Sequence, residues 1–133
     1  MAMIGNKLRI SPSMFNVFKD MSQGVNYNPL VEEDIPRTFP HLNDLFEEIQ
    51  PLSMSLREIL QAYQNFRPDI GYIQGMSYVA GIILLHCGPP EDCFRVFCNL
   101  LNSELVLSFY DFDLRKINKV YKIFWKLLRE TTP

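Results

Sequence analysis

The sequence predicts an all-α fold, and three observations carry that prediction. No stretch alternates apolar and polar residues over a useful length, so no strand is expected. Apolar residues recur instead at i, i+3, i+4 and i+7 along several segments, the spacing of one helix face. Proline and glycine punctuate those segments at short intervals. The chain has 133 residues, of which 47% are apolar and 21% charged, a globular balance that fits one compact domain or part of one. Ten Phe, six Tyr and one Trp supply large side chains for a core.

Taken in order, Ser11 before Pro12 makes a good helix start, an N-cap followed by proline at the first helical position. Met14, Phe15, Val17 and Phe18 continue it, giving a short helix over 12–21, and 23–29 reads as a loop. A helical turn is expected over 30–35. Pro36 and Pro40 each bias the preceding residue away from the helical region, so 37–39 is expected to be non-helical. Leu42, Leu45, Phe46 and Ile49 suggest a helix over 41–49. Ser53 or Ser55 can cap the next helix, whose stripe is Leu56, Ile59, Leu60 and Tyr63 and which Phe66-Arg67-Pro68-Asp69 breaks. A helix over 73–86 ends at Gly88-Pro89-Pro90. The stretch 70–90 carries no charge, but Gln74, Ser77, His86 and its glycines interrupt it, and a bilayer span needs about 20 mainly apolar residues. It therefore reads as a helix buried all round in a soluble domain. Phe94, Phe97, Cys98 and Leu101 mark a helix over 91–101, and Ile117, Val120, Tyr121, Phe124 and Leu128 mark one over 113–129. Arg115, Lys116, Lys119, Lys122, Lys126 and Arg129 form the solvated side of that last helix. The total is about seven helices joined by short loops. The first residues carry no clear cap and the chain stops at a strong amphipathic helix, so both ends are expected to be cut.

Several function classes are disfavoured. The formal net charge is −2 and no basic stripe runs along the chain, so no nucleic-acid partner is expected. Residues 1–10 contain no continuous apolar run of the signal-peptide kind. Cys87, Cys93 and Cys98 have no CxxC spacing, and Cys93 and Cys98 read as buried free thiols in a reducing compartment. His41 and His86 lack neighbours at ligand spacing, so no metal site is expected. No Ser/His/Asp set, Cys/His set or P-loop is readable, which argues against an enzyme acting alone.

Two constellations could carry chemistry. In Val31-Glu32-Glu33-Asp34-Ile35-Pro36-Arg37-Thr38-Phe39-Pro40, Arg37 lies between two prolines. By itself the segment reads as a helix end with an acidic face and a surface arginine. Held on a stiff loop, however, a guanidinium presents five donors in a rigid fork, the group suited to entering a partner's phosphate site. Asp34 could orient it or brace the loop. In Arg67-Pro68-Asp69-Ile70-Gly71-Tyr72-Ile73-Gln74-Gly75-Met76-Ser77, the simple reading is a turn followed by a buried helix. Gln74 is then awkward, because a buried amide needs partners. At an exposed helix start beside Gly75 it could instead reach a ligand, and a glutamine can orient an attacking water.

Together these segments resemble the TBC domains of Rab GTPase-activating proteins. That family's I-x-x-D-x-x-R hallmark, commonly followed by T-F-P, is filled by Val31, Asp34 and Arg37, then Thr38-Phe39-Pro40. Its Y-x-Q hallmark, commonly within R-P-x-x-G-Y-x-Q-G-M, is filled by Arg67, Pro68, Gly71, Tyr72, Gln74, Gly75 and Met76. Val31 for Ile is the one departure, a volume-similar swap. The resemblance implies an orthogonal multi-helix TBC-type fold, truncated to its N-terminal half, with 1–133 as a partial domain. Residues 1–10 would be a remnant of the family's first hallmark region, whose Trp is absent. It further implies a GTPase-activating protein, not itself an enzyme, with Arg37 neutralising charge at the γ-phosphate and Gln74 standing in for the GTPase's own glutamine. Asp34, Tyr72, Thr38 and Gly75 would support them. GTP and Mg²⁺ would be bound by the partner, a Rab-family GTPase in its GTP-bound form, with no cofactor or metal held by this chain. A cytoplasmic role in vesicle trafficking follows, with peripheral membrane contact through the partner and no transmembrane segment.

Two other readings stay open. One is a weak or inactive TBC-like helical module that docks a small GTPase or an adaptor. The other is a plain helical interaction domain in which Arg37 and Gln74 are structural.

Overall fold

The computed structural model describes residues 8–21, 28–39 and 50–131. Among them the order is α1 (Pro12–Asp20), α2 (Pro29–Asp34), a 3-10 turn (Ile35–Arg37), α3 (Gln50–Phe66), α4 (Met76–Cys87), α5 (Pro90–Leu101), α6 (Glu104–Tyr110) and α7 (Leu114–Thr131). No strand occurs among the described residues, and the all-α expectation holds.

The start signals act largely as the sequence implies. Ser11 is the extended residue before α1, with Pro12 in the first turn. The Asn28 side chain caps α2 by accepting from the Leu30 N–H at 3.0 Å. Pro90 opens α5, with Glu91 and Asp92 in its first turn against the positive end of the helix.

The core lies where α1, α3 and α5 meet, with α4 packed against α3 and α5. Phe15, Ile59, Leu60, Tyr63, Phe94, Phe97 and Leu101 are all sequestered there. Their rings meet at offset or edge angles: Phe15 and Phe94 have centroids 5.4 Å apart, and Tyr63 and Phe97 5.0 Å. Such pairs add about 0.5–1.5 kcal/mol each beyond the area they remove from water. Cys93 and Cys98 are buried free thiols, as expected, while Cys87 is half-buried.

Five expectations are corrected or extended. The third helix is not started by Ser53 or Ser55; Gln50 and Pro51, before both serines, are already helical. The 73–86 helix begins only at Met76, because Gly71 (φ +68°) and Gly75 (φ +94°) turn the chain through the left-handed region first. Nor is that helix buried all round. Tyr78, Ile82 and Leu85 face outward while Met76, Ser77, Ala80 and Leu84 face the core. Charge-free composition signals tolerance of burial without dictating which sides are covered. The short α6 was not anticipated; Ser103 caps it by accepting from the Val106 N–H. Finally, residue 37 is helical: Ile35 stays in the helical region (φ −54°, ψ −50°) despite preceding Pro36. Its N–H continues the ladder to the Val31 carbonyl, and Pro36 occupies a first-turn position that needs no donor. The expected helix over 41–49 lies outside the described residues, as does Pro40.

Candidate functional site

The two constellations meet on one carboxylate. Asp34, the last residue of α2, is only 5% exposed. The Tyr72 hydroxyl donates to its Oδ2 at 2.6 Å, and the Gly75 N–H reaches the same oxygen at 3.3 Å. Its other oxygen, Oδ1, lies 3.3 Å from the Arg37 guanidinium. One buried acid thus joins the arginine turn to the glutamine turn across 38–41 residues of sequence. A buried carboxylate is costly unless it is paired and hydrogen-bonded, and all three partners belong to the two constellations.

On the arginine side, local structure supplies the geometry. The Thr38 N–H donates to both the Asp34 and Ile35 carbonyls, at 2.9 and 3.1 Å. The Thr38 hydroxyl also donates to the Asp34 carbonyl at 2.8 Å, and Thr38 itself is buried. These bonds close the 3-10 turn and throw the Arg37 side chain outward, where 57% of it is exposed. Its Nε donates to the Glu33 carbonyl at 2.9 Å, and Nη2 lies 3.5 Å from the Glu33 carboxylate. The proline-bracketed loop of the sequence is therefore a closed turn with an outward arginine.

On the glutamine side, the Ile70 and Gly71 N–H groups both fold back onto the Arg67 carbonyl, at 3.1 and 2.8 Å. Arg67 forks onto Asp69, with Nε to Oδ1 at 2.9 Å and Nη2 to Oδ2 at 2.8 Å. That hydrogen-bonded pair holds the exposed Asp69 carboxyl below its ordinary range. After the turn Tyr72 points inward, 7% exposed, and Gln74 points out into solvent. Burial, and then the bond to Asp34, pushes the Tyr72 hydroxyl well above its ordinary range, so it stays a donor at any physiological pH. Gly75, left-handed, aims its N–H at Asp34 and starts α4.

Profile comparison matches residues 7–133 to the Rab-GTPase-TBC domain. The chain belongs to that family. TBC domains are GTPase activators of the Rab-directed type, and this TBC chain is all-helical among its described residues. It is 32% identical over 154 aligned positions to TBC1 domain family member 12 of Xenopus tropicalis, covering 98% of this chain and 22% of that protein. TBC1 domain family member 14 of Homo sapiens is 36% identical over 104 positions, 78% of this chain and 15% of that protein. Drainin of Dictyostelium discoideum is also 36% identical over 104 positions, 78% of this chain and 23% of its own length. The TBC chain thus spans about a fifth of the length of these curated relatives.

Within this TBC chain, Asp34, Arg37, Tyr72 and Gly75 are gathered as a unit, with Thr38 bracing it and Gln74 standing free beside it. Sequence reasoning missed Glu33, which holds Arg37 from one turn earlier, and Tyr78, whose hydroxyl donates to the Arg37 carbonyl at 2.8 Å. The i, i+4 spacing of Glu33 and Arg37 was a legible signal. Tyr78 stands one turn after Gln74 in the sequence, but nothing there shows it reaching residue 37. No helix among the described residues is long and apolar enough to cross a membrane.

Proposed function

We propose that this chain activates a Rab-family GTPase by supplying two side chains in trans, Arg37 and Gln74. The observation that carries the reading is Asp34, a buried carboxylate joining the turns that bear them. Arg37 would leave Glu33 and Asp34 for the γ-phosphate, where a guanidinium stabilises charge developing in the transition state. Gln74 would orient the attacking water. Asp34, Tyr72, Thr38 and Gly75 act by holding these groups in place. GTP, Mg²⁺ and the hydrolysis itself belong to the partner in its GTP-bound form. The protein is then cytoplasmic, peripheral on endomembranes through its partner, and serves vesicle trafficking.

The test is GTP hydrolysis by a panel of purified Rab proteins with and without the chain. An arginine finger supplied in trans contributes about 10³–10⁵-fold in kcat. Arg37→Ala and Gln74→Ala should each remove the stimulation. Gln74→Ala leaves the melting temperature in place because its side chain is exposed, while Arg37→Ala lowers it, because buried Asp34 loses one of its three partners. Stimulation that survives both substitutions sinks the reading.

Docking without catalysis is the second reading, and one observation favours it. In this structure the Arg37 guanidinium is engaged by Glu33 and Asp34 instead of standing free. It predicts GTP-dependent binding of a small GTPase with no change in its hydrolysis rate.

A further inference from the structure

We infer that Tyr78 is a positioning residue for Arg37, an inference that rests on the GTPase-activating reading above. Tyr78 lies in the first turn of α4, four residues after Gln74. Its hydroxyl donates to the Arg37 carbonyl at 2.8 Å. Its ring carries the edge of Phe39, with centroids 5.4 Å apart and planes at 82°. Phe39 holds a left-handed backbone (φ +55°), which an aromatic residue adopts only where its surroundings enforce it.

Gly81, one turn further along α4, completes the seat. A Cβ at that position would stand 3.0 Å from the Phe39 ring and 3.6 Å from the Thr38 methyl. The segment just past the arginine therefore lies flush on the face of α4 that displays Tyr78, and a side chain at Gly81 would press on the Phe39 ring.

These contacts answer a geometric need. The Thr38 bonds and the guanidinium contact close the Arg37 turn on Asp34, and the Asp34 carboxylate ties that turn to the glutamine side. A closed turn can still pivot as a body about such a tie. Tyr78 adds a hold on the Arg37 carbonyl, from the helix whose first turn follows Gln74. The two fingers are thereby referenced to one rigid element, so their separation is set by α4 and not by loop motion. A displacement of about 1 Å in a reacting group can cost on the order of 100-fold in rate, so this second anchor is worth more to turnover than to folding.

The experiment compares wild type, Tyr78→Phe and Gly81→Ala in two readouts on the 133-residue chain. The first is stimulated GTP hydrolysis by a responding Rab. Tyr78→Phe keeps the ring and removes only the hydroxyl, a single exposed hydrogen bond. It should lower kcat about tenfold, leave KM within about twofold and leave the melting temperature in place. Gly81→Ala, which pushes on Phe39, should show the same split. The second readout is the Arg37 carbonyl ¹³C shift by NMR, which should move in Tyr78→Phe. Unchanged kcat in Tyr78→Phe, or a loss confined to KM, overturns the inference, as does an unmoved carbonyl shift. If no Rab responds to wild type, the activating reading falls, and the carbonyl shift alone then decides whether Tyr78 holds the Arg37 backbone.

Discussion

Arg37 and Asp34 illustrate how much one acceptor can be asked to do. Oδ2 of Asp34 takes the Tyr72 hydroxyl and the Gly75 N–H, while Oδ1 faces the guanidinium. An amide of the same shape has one acceptor end. If the Asn oxygen served Tyr72 and Gly75, its NH₂ would confront the guanidinium, donor against donor. Asp34→Asn is therefore expected to destabilise the chain by about 1–3 kcal/mol, the usual cost of an unmet buried polar group, and to depress stimulation of a partner GTPase. Chemical denaturation with the hydrolysis assay checks both; a variant as stable as wild type would remove Asp34 from its central place. Most of this cluster was legible, because Asp34, Arg37, Tyr72 and Gln74 sit in motifs whose spacing is local. Glu33 and Tyr78 were not singled out: the local i, i+4 signal of Glu33 was passed over because it is no part of the motif, and the grip of Tyr78 on Arg37 depends on how the turn seats on α4.

At the scale of elements, the glutamine side depends on the backbone of one residue. Gly75 stands at φ +94° with nothing within 4 Å of the place where a Cβ would be. A side chain there meets no neighbour, so the penalty is purely conformational. Gly75→Ala should cost about 1–2 kcal/mol, and Gly75→Asn less, because asparagine tolerates the left-handed region. Melting curves of the two variants give the order; equal stabilities would mean the turn relaxes freely. The boundaries of α3 and α4 were misjudged from sequence for related reasons. Ser53 and Ser55 are good caps, yet the helix already includes Gln50 and Pro51. Residues 73–75 fit a helical pattern, yet two left-handed glycines precede the first turn. The seven-residue α6 escaped notice because so short a segment shows little periodicity.

For the molecule as a whole, the fold class and the aromatic core were readable because apolar spacing at helical period recurs in most segments. Which faces those helices cover was not readable, as α4 and α7 show. The core also carries a pH signature. Burial pushes the Cys93 thiol up to about 11 and the Tyr63 hydroxyl up to about 12, and it raises Cys98 as well. The unfolded chain loses these protons near their ordinary values, about 8.5 for Cys and 10 for Tyr. Above those values the unfolded state binds fewer protons than the folded one, so stability must fall as pH rises. The full contribution is present below about pH 8 and drains away toward pH 11–12, which melting temperatures across that range would reveal; a flat profile would contradict the burial of these groups.

α7 has a different consequence. None of its 18 residues is buried, and Tyr121, Phe124, Trp125 and Leu127 all meet solvent. Trp125 is also the single tryptophan of the chain, 40% exposed. Excited where its six tyrosines do not absorb, the chain therefore emits from one wet indole on an exposed helix face. Any surface that covers α7 will shift that emission to the blue, so the molecule carries its own optical reporter for whatever binds there.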